Sequence, residues 1–289
     1  MLACALLLMS AGSRSAIVGN DDAFADLEAC ARSFDRRAPV VVTSADTAFL
    51  RVLPAWSGRV GAFGYTQRIV IALGGGRSLF RGAGACVVRY GPEGSGPAAG
   101  AGPRAAEALP PQTGLSKFEV VAQLLRWRFE AICYSELDVF WARDAIVAAR
   151  AAAGARRRVL AAQDNVHDDE LNIGFFYVRP GRRICRFFLR LSAAWRRELA
   201  AAPADAGATV ARDQAFFWAL LRDDAALEGK YVRLDRTVFA KGNRRVARRR
   251  PGEVADYVDD AATAVVHLTG LPRRDKLRAL ARLYRLPDA

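Results

Sequence analysis

The chain has 289 residues, of which 52% are apolar, so it can bury a core large enough for one large domain or two small ones. Its 43 basic and 30 acidic residues give a net charge of +13, and only four of the basic residues are lysines. This charge favours nucleic acid only weakly, because a polyanionic substrate, a phosphate-bearing small molecule or an anionic membrane surface is equally compatible with it. The five cysteines include no CxxC pair, so neither a zinc knuckle nor a dense disulfide framework is indicated.

The first residues, MLACALLLMSAGSRSA, contain a short apolar run (Leu2–Met9) followed by small residues. This arrangement resembles a minimal signal peptide, although it lacks the basic residues that normally precede the apolar run. A truncated membrane anchor, a disordered start and the beginning of a helix are the alternatives. No later stretch offers roughly 18 consecutive apolar residues, so no transmembrane segment is predicted.

An amphipathic helix is predicted next, because Phe24, Leu27 and Ala31 recur at helical spacing behind a capping Asn20 or Asp21. Short apolar runs then alternate with helical or polar stretches. Runs without alternating polar residues are typical of strands buried on both faces, and their separation along the chain indicates a mostly parallel α/β sheet flanked by helices. The predicted strands are Val40–Val42, Arg68–Leu73, Ala85–Tyr90 and Ala131–Ser135.

Residues 91–114 are rich in Gly, Pro and Ala and contain almost no large apolar side chain, so we predict a mobile loop there. The following helix places apolar residues from Phe118 to Phe129 on one stripe, with Ser116 as its N-cap. We expect an N-terminal segment at residues 1–37 and a single α/β domain at residues 38–286, which includes the loop.

Two carboxylates, Glu136 and Asp138, come directly after the apolar run Ala131–Ser135. In open α/β sheets, ligands gather at the carboxyl ends of strands. A hard divalent cation such as Mg²⁺ or Mn²⁺ prefers oxygen ligands, and one or two carboxylates plus substrate phosphates commonly complete its shell. The alternative is a solvated strand end without a ligand.

Several further blocks follow in a fixed order, and together they resemble the nucleotide-diphospho-sugar transferase family of GT-A-type glycosyltransferases, which includes plant cell-wall arabinosyl- and xylosyltransferases. The family pattern combines an opening strand with a threonine, a helix with a lysine, a YSDxDVxW block, an NxGFxxxRP strand, a DQ helix, an FxxG turn and a late VxH strand. The matching positions are Thr43, Lys117, Ser135–Trp141, Asn172–Pro180, Asp213 with Gln214, Phe239–Gly242 and Val265–His267. The resemblance extends from about residue 38 to about residue 286.

The resemblance implies a GT-A-like (Rossmann-like) fold and transfer of a sugar from a nucleotide-diphosphate donor, most simply a UDP-sugar, to a glycan or glycoprotein hydroxyl. It further implies a retaining reaction, a Mn²⁺ or Mg²⁺ ion and a location in the Golgi or the secretory-pathway lumen. No nucleic-acid partner is expected, whereas peripheral membrane association is compatible with the basic charge.

The resemblance also assigns roles to particular residues. The implied metal ligands are Asp138, His267 and Glu136. The residues expected near the reacting sugar are Asp213, Gln214 and Asn172. The expected donor-binding residues are Thr43, Lys117, Glu136, Gly174, Arg273 and Lys276, with Arg273 or Lys276 neutralising the leaving diphosphate.

Each of these residues has a structural alternative. A lone histidine at a strand end, as at His267, is often a hydrogen-bonding residue without a metal, and the alternative for Asp213 is a helix cap. For Arg273 and Lys276 the alternative is a solvated basic helix face. His167–Leu171 concentrates acidic residues next to a histidine, but consecutive side chains diverge, so we interpret it as a loop, like the basic run Gly242–Glu253.

One position departs from the family pattern, because Glu136 replaces the first aspartate of the DxD motif. The extra methylene extends the carboxylate by roughly 1.5 Å. A pseudoenzyme that keeps the fold but not the turnover is therefore an alternative. A basic nucleic-acid-binding protein is a second alternative, although aromatic residues do not interleave with the arginine clusters as a stacking surface requires.

Overall fold

The computed structural model describes residues 21–73, 79–80, 82, 84–90, 112–154, 158–164, 170–201, 213–241, 262–269 and 271–286. The strands are β1 (Val40–Ala45), β2 (Arg68–Leu73), β3 (Cys86–Tyr90), β4 (Ile132–Ser135), β5 (Val139–Trp141), β6 (Leu160–Asp164), β7 (Leu171–Val178), β8 (Tyr231–Leu234), β9 (Phe239–Lys241) and β10 (Val265–His267). The helices are α1 (Asp21–Arg32), α2 (Leu53–Ala62), α3 (Gln112–Arg126), α4 (Ala145–Ala153), α5 (Arg182–Ala201), α6 (Asp213–Arg222) and α7 (Arg273–Leu283), with short 3₁₀ helices at Thr47–Phe49 and Ala225–Leu227.

The main sheet has seven strands in the order β3-β2-β1-β4-β7-β6-β8. Strands β3, β2, β1 and β4 pair in parallel, as do β6 and β8. Strand β7 pairs antiparallel with both of its neighbours, so within the described sheet it alone runs against the others. The predicted α/β architecture with a mostly parallel sheet is confirmed.

Helices cover both faces of the main sheet, which explains why its strands are continuous apolar runs. In β1, Val40 and Val42 pack into one core with helices α1, α3, α5 and α6, whereas Val41 and Ala45 pack into the other with α2 and α4. The four predicted strands therefore appear close to their predicted positions, because a run buried on both sides leaves no place for polar residues.

The helix after the predicted loop begins earlier than expected. It starts at Gln112, so Ser116 lies in its second turn, fully buried, and is not the N-cap. The last three residues of the predicted loop, 112–114, are helical, and residues 91–111 lie outside the described residues. Burial of the apolar stripe against α5 and the sheet stabilises the helix, and most helical stability in proteins arises from such packing.

Helix α1 belongs to the core, although it falls within the predicted N-terminal segment. Its residues Ala23, Leu27 and Ala31 are buried in the core formed with α3 and α5. A disulfide joins Cys30 of this helix to Cys86 of β3. A boundary at residue 37 therefore does not separate α1 from the domain, and the predicted signal-like residues before it lie outside the described part of the chain.

A second, three-stranded sheet has the order β5-β10-β9, in which β10 pairs antiparallel with β5 and parallel with β9. It packs on helix α7 through Phe140, Val266 and Leu280. Strand β5 begins four residues after β4 ends, so a short connection leads from the main sheet into this small sheet. Among the described residues, no helix has both the length and the apolar character required to cross a bilayer.

We predict that the disulfide contributes substantially to stability. It closes a loop with a sequence separation of 56 residues, and replacing Cys30 and Cys86 by serine should lower the free energy of unfolding by about 2–5 kcal/mol. Urea denaturation of the two proteins measures this difference. A reducing agent should reproduce the loss in the wild-type protein and should not change the double variant; equal stability of all samples would contradict the prediction.

Candidate metal and donor site

The acidic pair occupies the connection between the two sheets. Glu136 follows the last residue of β4, and its backbone N–H donates to the Gly174 carbonyl of β7 (2.8 Å). Asp138 precedes β5, and its carbonyl accepts the N–H of Leu268, just after β10 (2.9 Å). The backbone of each acidic residue is thus fixed by a hydrogen bond, Glu136 to β7 and Asp138 to the residue after β10.

His267 is the last residue of β10 and lies opposite Val139 of β5, so the sheet register brings it beside the acidic pair. Its Nε2 lies 3.4 Å from Asp138 Oδ1 and 3.6 Å from Glu136 Oε2. One ligand atom from each of the three residues lies within 4.8 Å of the others. The structure therefore brings together the three residues for which the resemblance implies metal binding, 130 positions apart in the chain.

Neighbouring charges keep both carboxylates ionised. Burial raises the pKa of Asp138, but the positive charges of His267 and Lys276 more than offset this and hold the pKa well below its usual range. Burial likewise raises the pKa of Glu136, but Lys117 and His267 together outweigh it and lower the pKa overall. For His267, burial lowers the pKa, and the two carboxylates raise it overall. Ionised carboxylates are the form that can hold a cation.

Lys117 of helix α3 is completely buried and makes two ion pairs. Its Nζ donates to Glu136 Oε1 (3.2 Å) and to Asp213 Oδ2 (3.1 Å) at the start of α6, and it lies 4.8 Å from the ring centre of Tyr134. Burial disfavours the ammonium, but Asp213, Tyr134 and Glu136 outweigh this effect and raise the pKa of Lys117. Lys117 therefore stays charged and links Asp213 to Glu136.

Gly174 lies against two of the ligand residues, His267 and Glu136, at a bulge in β7. Pairing with β6 shifts from Ala162–Phe176 to Gln163–Asn172, so three residues of β7 have no counterpart on β6. A Cβ atom on Gly174 would lie 2.3 Å from His267 Cε1 and 2.7 Å from Glu136 Oε2. Only glycine fits at this position, as bulges next to functional sites often require. Asn172 supports the bulge, because its Oδ1 accepts the N–H of Gly174 (2.9 Å).

A cleft with a volume of about 140 Å³ opens beside the acidic pair at the carboxyl ends of β1 and β4. Its wall combines acidic, basic and apolar side chains from the main sheet, from the connection between the two sheets, and from α7 and the residues before it. The lining residues are Ser44, Asp46, Phe49, Leu73, Tyr134, Glu136, Leu137, Asp138, Leu271, Arg273 and Lys276. The cleft is thus narrow, partly apolar and open to solvent beside the candidate ligands.

Thr43 is not part of this wall, although it was predicted to bind the donor. It is fully buried and lies on the face of β1 shared by Val41 and Ala45, because successive side chains of a strand point in opposite directions. Its neighbour Ser44 lines the cleft instead, and the Ser44 Oγ accepts a hydrogen bond from the Tyr134 hydroxyl (3.0 Å). On β1, therefore, Ser44 and not Thr43 faces the cleft, and donor binding at this strand stays a prediction.

Comparison with known proteins assigns the chain to a family. The sequence model of the nucleotide-diphospho-sugar transferase family matches residues 111–280, more than half of the chain. The match contains Lys117, the acidic pair, Gly174, Asp213 and His267. The chain belongs to the nucleotide-diphospho-sugar transferase family.

Several solved structures are similar to this family member. The glycosyltransferase GlyE of Streptococcus pneumoniae TIGR4 is 11% identical with a TM-score of 0.45, and the match covers 87% of this chain and 63% of GlyE. The galactosyltransferase LgtC is 13% identical with a TM-score of 0.47, covering 87% and 97%. Mouse xyloside xylosyltransferase 1 is 11% identical with a TM-score of 0.42, covering 81% and 98%. The chain spans less than two thirds of GlyE, and no curated protein sequence matches it.

Two basic residues of α7 lie beside the same centre. Lys276 donates to Asp138 Oδ2 (2.6 Å), Arg273 donates to Asp46 Oδ2, and both side chains line the cleft. Neither residue belongs to a simple solvated face. Gln214 follows Asp213, and its amide Nε2 donates to Glu170 Oε2 (3.2 Å). His167 and residues 242–253 lie outside the described residues.

Two residues at the end of β6 were also not predicted from the sequence. Gln163 and Asp164 end β6, where Gln163 contacts His267 and Asp164 accepts hydrogen bonds from Arg233 (2.7 Å) and Arg236 (2.5 Å). Their position at a strand end was the available signal, because strand ends carry the other site residues. Their partners are 69 to 104 residues away in the sequence, so the contacts themselves left no local pattern.

The ligand group of this family member fits a divalent cation. Asp138 Oδ1 is buried and has no hydrogen-bond partner within the described part of the chain, although such atoms are normally paired. The missing side chain at Gly174 lets Glu136 and His267 approach the β7 backbone, where a Cβ atom would collide with both. Two carboxylates and one imidazole form a donor set that Mn²⁺ and similar ions accept. Asp138, Glu136 and His267 are therefore the residues that would hold a metal.

We predict that Gly174→Ala disrupts the metal group without unfolding the protein. The new methyl group must displace His267 or Glu136, and Mn²⁺ affinity should fall by about tenfold or more, as when supporting groups of metal sites are lost. Isothermal titration with MnCl₂ measures the affinity. Gly58→Ala in α2 is the control, because no atom lies within 4 Å of the added methyl group. Unchanged Mn²⁺ affinity in Gly174→Ala would contradict the geometry.

A second prediction concerns Lys117→Met, which removes the ammonium but keeps an unbranched chain. The free energy of unfolding should fall by less than the roughly 3–5 kcal/mol typical of fully buried pairs, because the Glu136 and Asp213 side chains are 27% and 32% exposed. Urea denaturation provides the measurement. Adding Asp213→Asn should recover part of the loss, since it removes one of the two uncompensated carboxylates; full stability of Lys117→Met would contradict the role of the ion pairs.

Proposed function

We propose that this protein is a metal-dependent glycosyltransferase. It moves a sugar from a nucleotide-diphosphate donor, with a UDP-sugar as the first choice, to a hydroxyl of a glycan or glycoprotein. The observation that carries the proposal is the group of Glu136, Asp138 and His267 at the edge of a cleft into which two cations project. Family membership supports the reaction class, and the family resemblance supports a retaining course.

The donor set supports Mn²⁺ or Mg²⁺ as the cofactor, with Mn²⁺ favoured by the imidazole nitrogen of His267. When bound at such a site, a divalent cation stabilises the negative charge that develops on a leaving diphosphate. The protein supplies the ionised ligands Asp138 and Glu136 and excludes bulky side chains at Gly174. The role of the chain at this point is to hold these groups in place before the donor arrives.

Lys276 and Arg273 supply the positive charge for the donor phosphates. Both line the cleft and pair with carboxylates, Lys276 with Asp138 and Arg273 with Asp46. These pairs place an ammonium and a guanidinium at positions where a diphosphate would be attracted, and a guanidinium can bind phosphate through two parallel hydrogen bonds. When the donor binds, Lys276 and Arg273 exchange their carboxylate partners for phosphate oxygens.

Asp213 and Gln214 are proposed to lie near the transferred sugar. Lys117 joins Asp213 to Glu136, which places the start of α6 next to the ligand group. Asn172 is only 4% exposed and bonds to the bulge at Gly174, so we propose a positioning role for it rather than direct contact with the reacting atoms. Gly174 offers the close backbone approach that a sugar pocket requires.

The pseudoenzyme is the second candidate, because Glu136 departs from the aspartate of the family motif. Against it, the longer side chain still reaches both Lys117 and the imidazole of His267. The nucleic-acid-binding alternative has less support, since the cleft is lined by three carboxylates that would repel phosphate chains without a cation.

We further propose that the protein works in a compartment that permits disulfides, such as the Golgi or the secretory-pathway lumen. The disulfide between Cys30 and Cys86 supports this location, because disulfides are rare in reducing compartments. Peripheral membrane association of the basic surface stays a prediction.

We predict that UDP together with Mn²⁺ raises the melting temperature. A ligand that binds only the folded state stabilises it by about 2.7 kcal/mol at a concentration of 100 times its Kd. Differential scanning fluorimetry should show the increase, and EDTA should remove it. Asp138→Asn should abolish the shift, whereas Asp223→Asn, at an exposed position on the protein surface, should retain it.

Release of UDP from UDP-sugars then separates the enzyme from the pseudoenzyme. A glycosyltransferase should hydrolyse at least one donor slowly in the presence of Mn²⁺, whereas a pseudoenzyme would show the thermal shift without release. No thermal shift with any nucleoside diphosphate would contradict the proposed function.

A further inference from the structure

Gln163 makes hydrogen bonds that determine how His267 can act. It is the fourth residue of β6, is 1% exposed, and its Oε1 lies 2.7 Å from Nδ1 of His267. Its Nε2 donates to the carbonyls of Phe239 (3.0 Å) and Ala240 (3.3 Å) in β9. The single amide thus joins the main sheet to two strands of the small sheet.

These contacts fix the orientation of the Gln163 amide. A backbone carbonyl can only accept a hydrogen bond, so the two carbonyls of β9 require the NH₂ group on their side. The Oε1 atom must then face His267, because the reverse orientation would place three oxygens against one another and leave the NH₂ group against a ring nitrogen. Unsatisfied polar groups at a buried position are costly.

The fixed amide in turn selects the imidazole tautomer. Since Oε1 is an acceptor, Nδ1 of His267 must carry a proton; when the positively charged ring loses its other proton, the neutral ring has its lone pair on Nε2. Nε2 is the atom that lies 3.4 Å from Asp138 Oδ1 and 3.6 Å from Glu136 Oε2. Without Gln163, the opposite tautomer would be favoured, because an N–H on Nε2 could donate to either carboxylate.

We propose that Gln163 is a positioning residue that holds His267 with its Nε2 lone pair directed at the metal group. This inference rests on the proposed function for the identity of the ion, but the tautomer itself does not depend on an ion. Residues that bond to the distal nitrogen of a metal-binding histidine typically affect metal affinity by about 10–100-fold. Gln163 would also keep β10 aligned with the main sheet, since it spans both sheets.

The chain is well suited to a direct test, because it contains only two histidines, His167 and His267. Protein labelled with ¹⁵N-histidine gives two imidazoles by NMR, and His167→Asn assigns them. At a pH where the ring is neutral, His267 should be protonated on Nδ1 in the wild type. Gln163→Met should shift it toward the Nε2-protonated form and weaken Mn²⁺ binding by about 10–100-fold in calorimetric titrations.

Two further variants separate positioning from stability. Gln163→Glu keeps an oxygen that accepts from Nδ1, so it should retain the wild-type tautomer. Gln67→Met is the matched control, because Gln67 is also buried. Its Nε2 donates to the backbone carbonyls of Asp35 (3.0 Å), Ala38 (3.3 Å) and Pro39 (3.4 Å), far from the metal group in the fold. It should lose stability without changing the tautomer or the Mn²⁺ affinity.

The outcomes distinguish this inference from the proposed function. An unchanged tautomer in Gln163→Met, or an equal loss of Mn²⁺ affinity in Gln67→Met, would overturn the role of Gln163. A wild-type protein that binds no Mn²⁺ but shows the expected tautomer change would overturn the metal-dependent part of the proposed function and leave the positioning of His267 standing.

Discussion

Glu136 and Asp138 hold two negative charges beside one imidazole in a largely buried place. Like charges about 4–5 Å apart repel by roughly 3–4 kcal/mol at an effective dielectric constant near 20. Lys117 offsets this repulsion from the side of α3, and Lys276 offsets it from the side of α7. The site therefore depends on charge balance, and the same ion pairs fix the relative positions of α3, α6 and α7.

The junction between the two sheets gives this charge group its rigidity. The chain leaves β4 at Ser135 and enters β5 at Val139, so both carboxylates lie on a connection that is held at each end by strand pairing. The bulge in β7 brings a backbone without a side chain to one flank, and the Gln163 amide closes the opposite side of the imidazole. Sites supported in this way by strands are held more accurately than sites on free loops.

Much of this arrangement could be predicted from sequence, because it depends on patterns that are local. The apolar run of Arg68–Leu73 is a strand because both of its faces are covered. The acidic pair was expected at a strand end because it directly follows the apolar run Ala131–Ser135. The proximity of His267 to Glu136 and Asp138 was expected from the family pattern, because no spacing in the sequence indicates it. The combination of Lys117 with Asp213 also required that pattern, since 96 residues separate them.

Other features had no local signal. Thr43 and Ser44 are adjacent and chemically alike, and only the face of β1 on which each side chain lies decides which of them reaches the cleft. The Cys30–Cys86 disulfide joins residues without a characteristic spacing. The helical start at Gln112 results from packing of α3 on the sheet, which outweighs the loop-like composition before it. The role of Gln163 depends on its contacts with β9 and His267, which no pattern in the sequence indicates.

The small sheet has a consequence for the growing polypeptide. Its middle strand, β10, is the last of the ten described strands to be synthesised, while its outer strands β5 and β9 are made earlier and pair only through β10. A nascent chain on the ribosome can thus assemble the main sheet with its acidic pair while the third ligand is still missing. The three residues of the ligand group therefore come together only after β10 has been made.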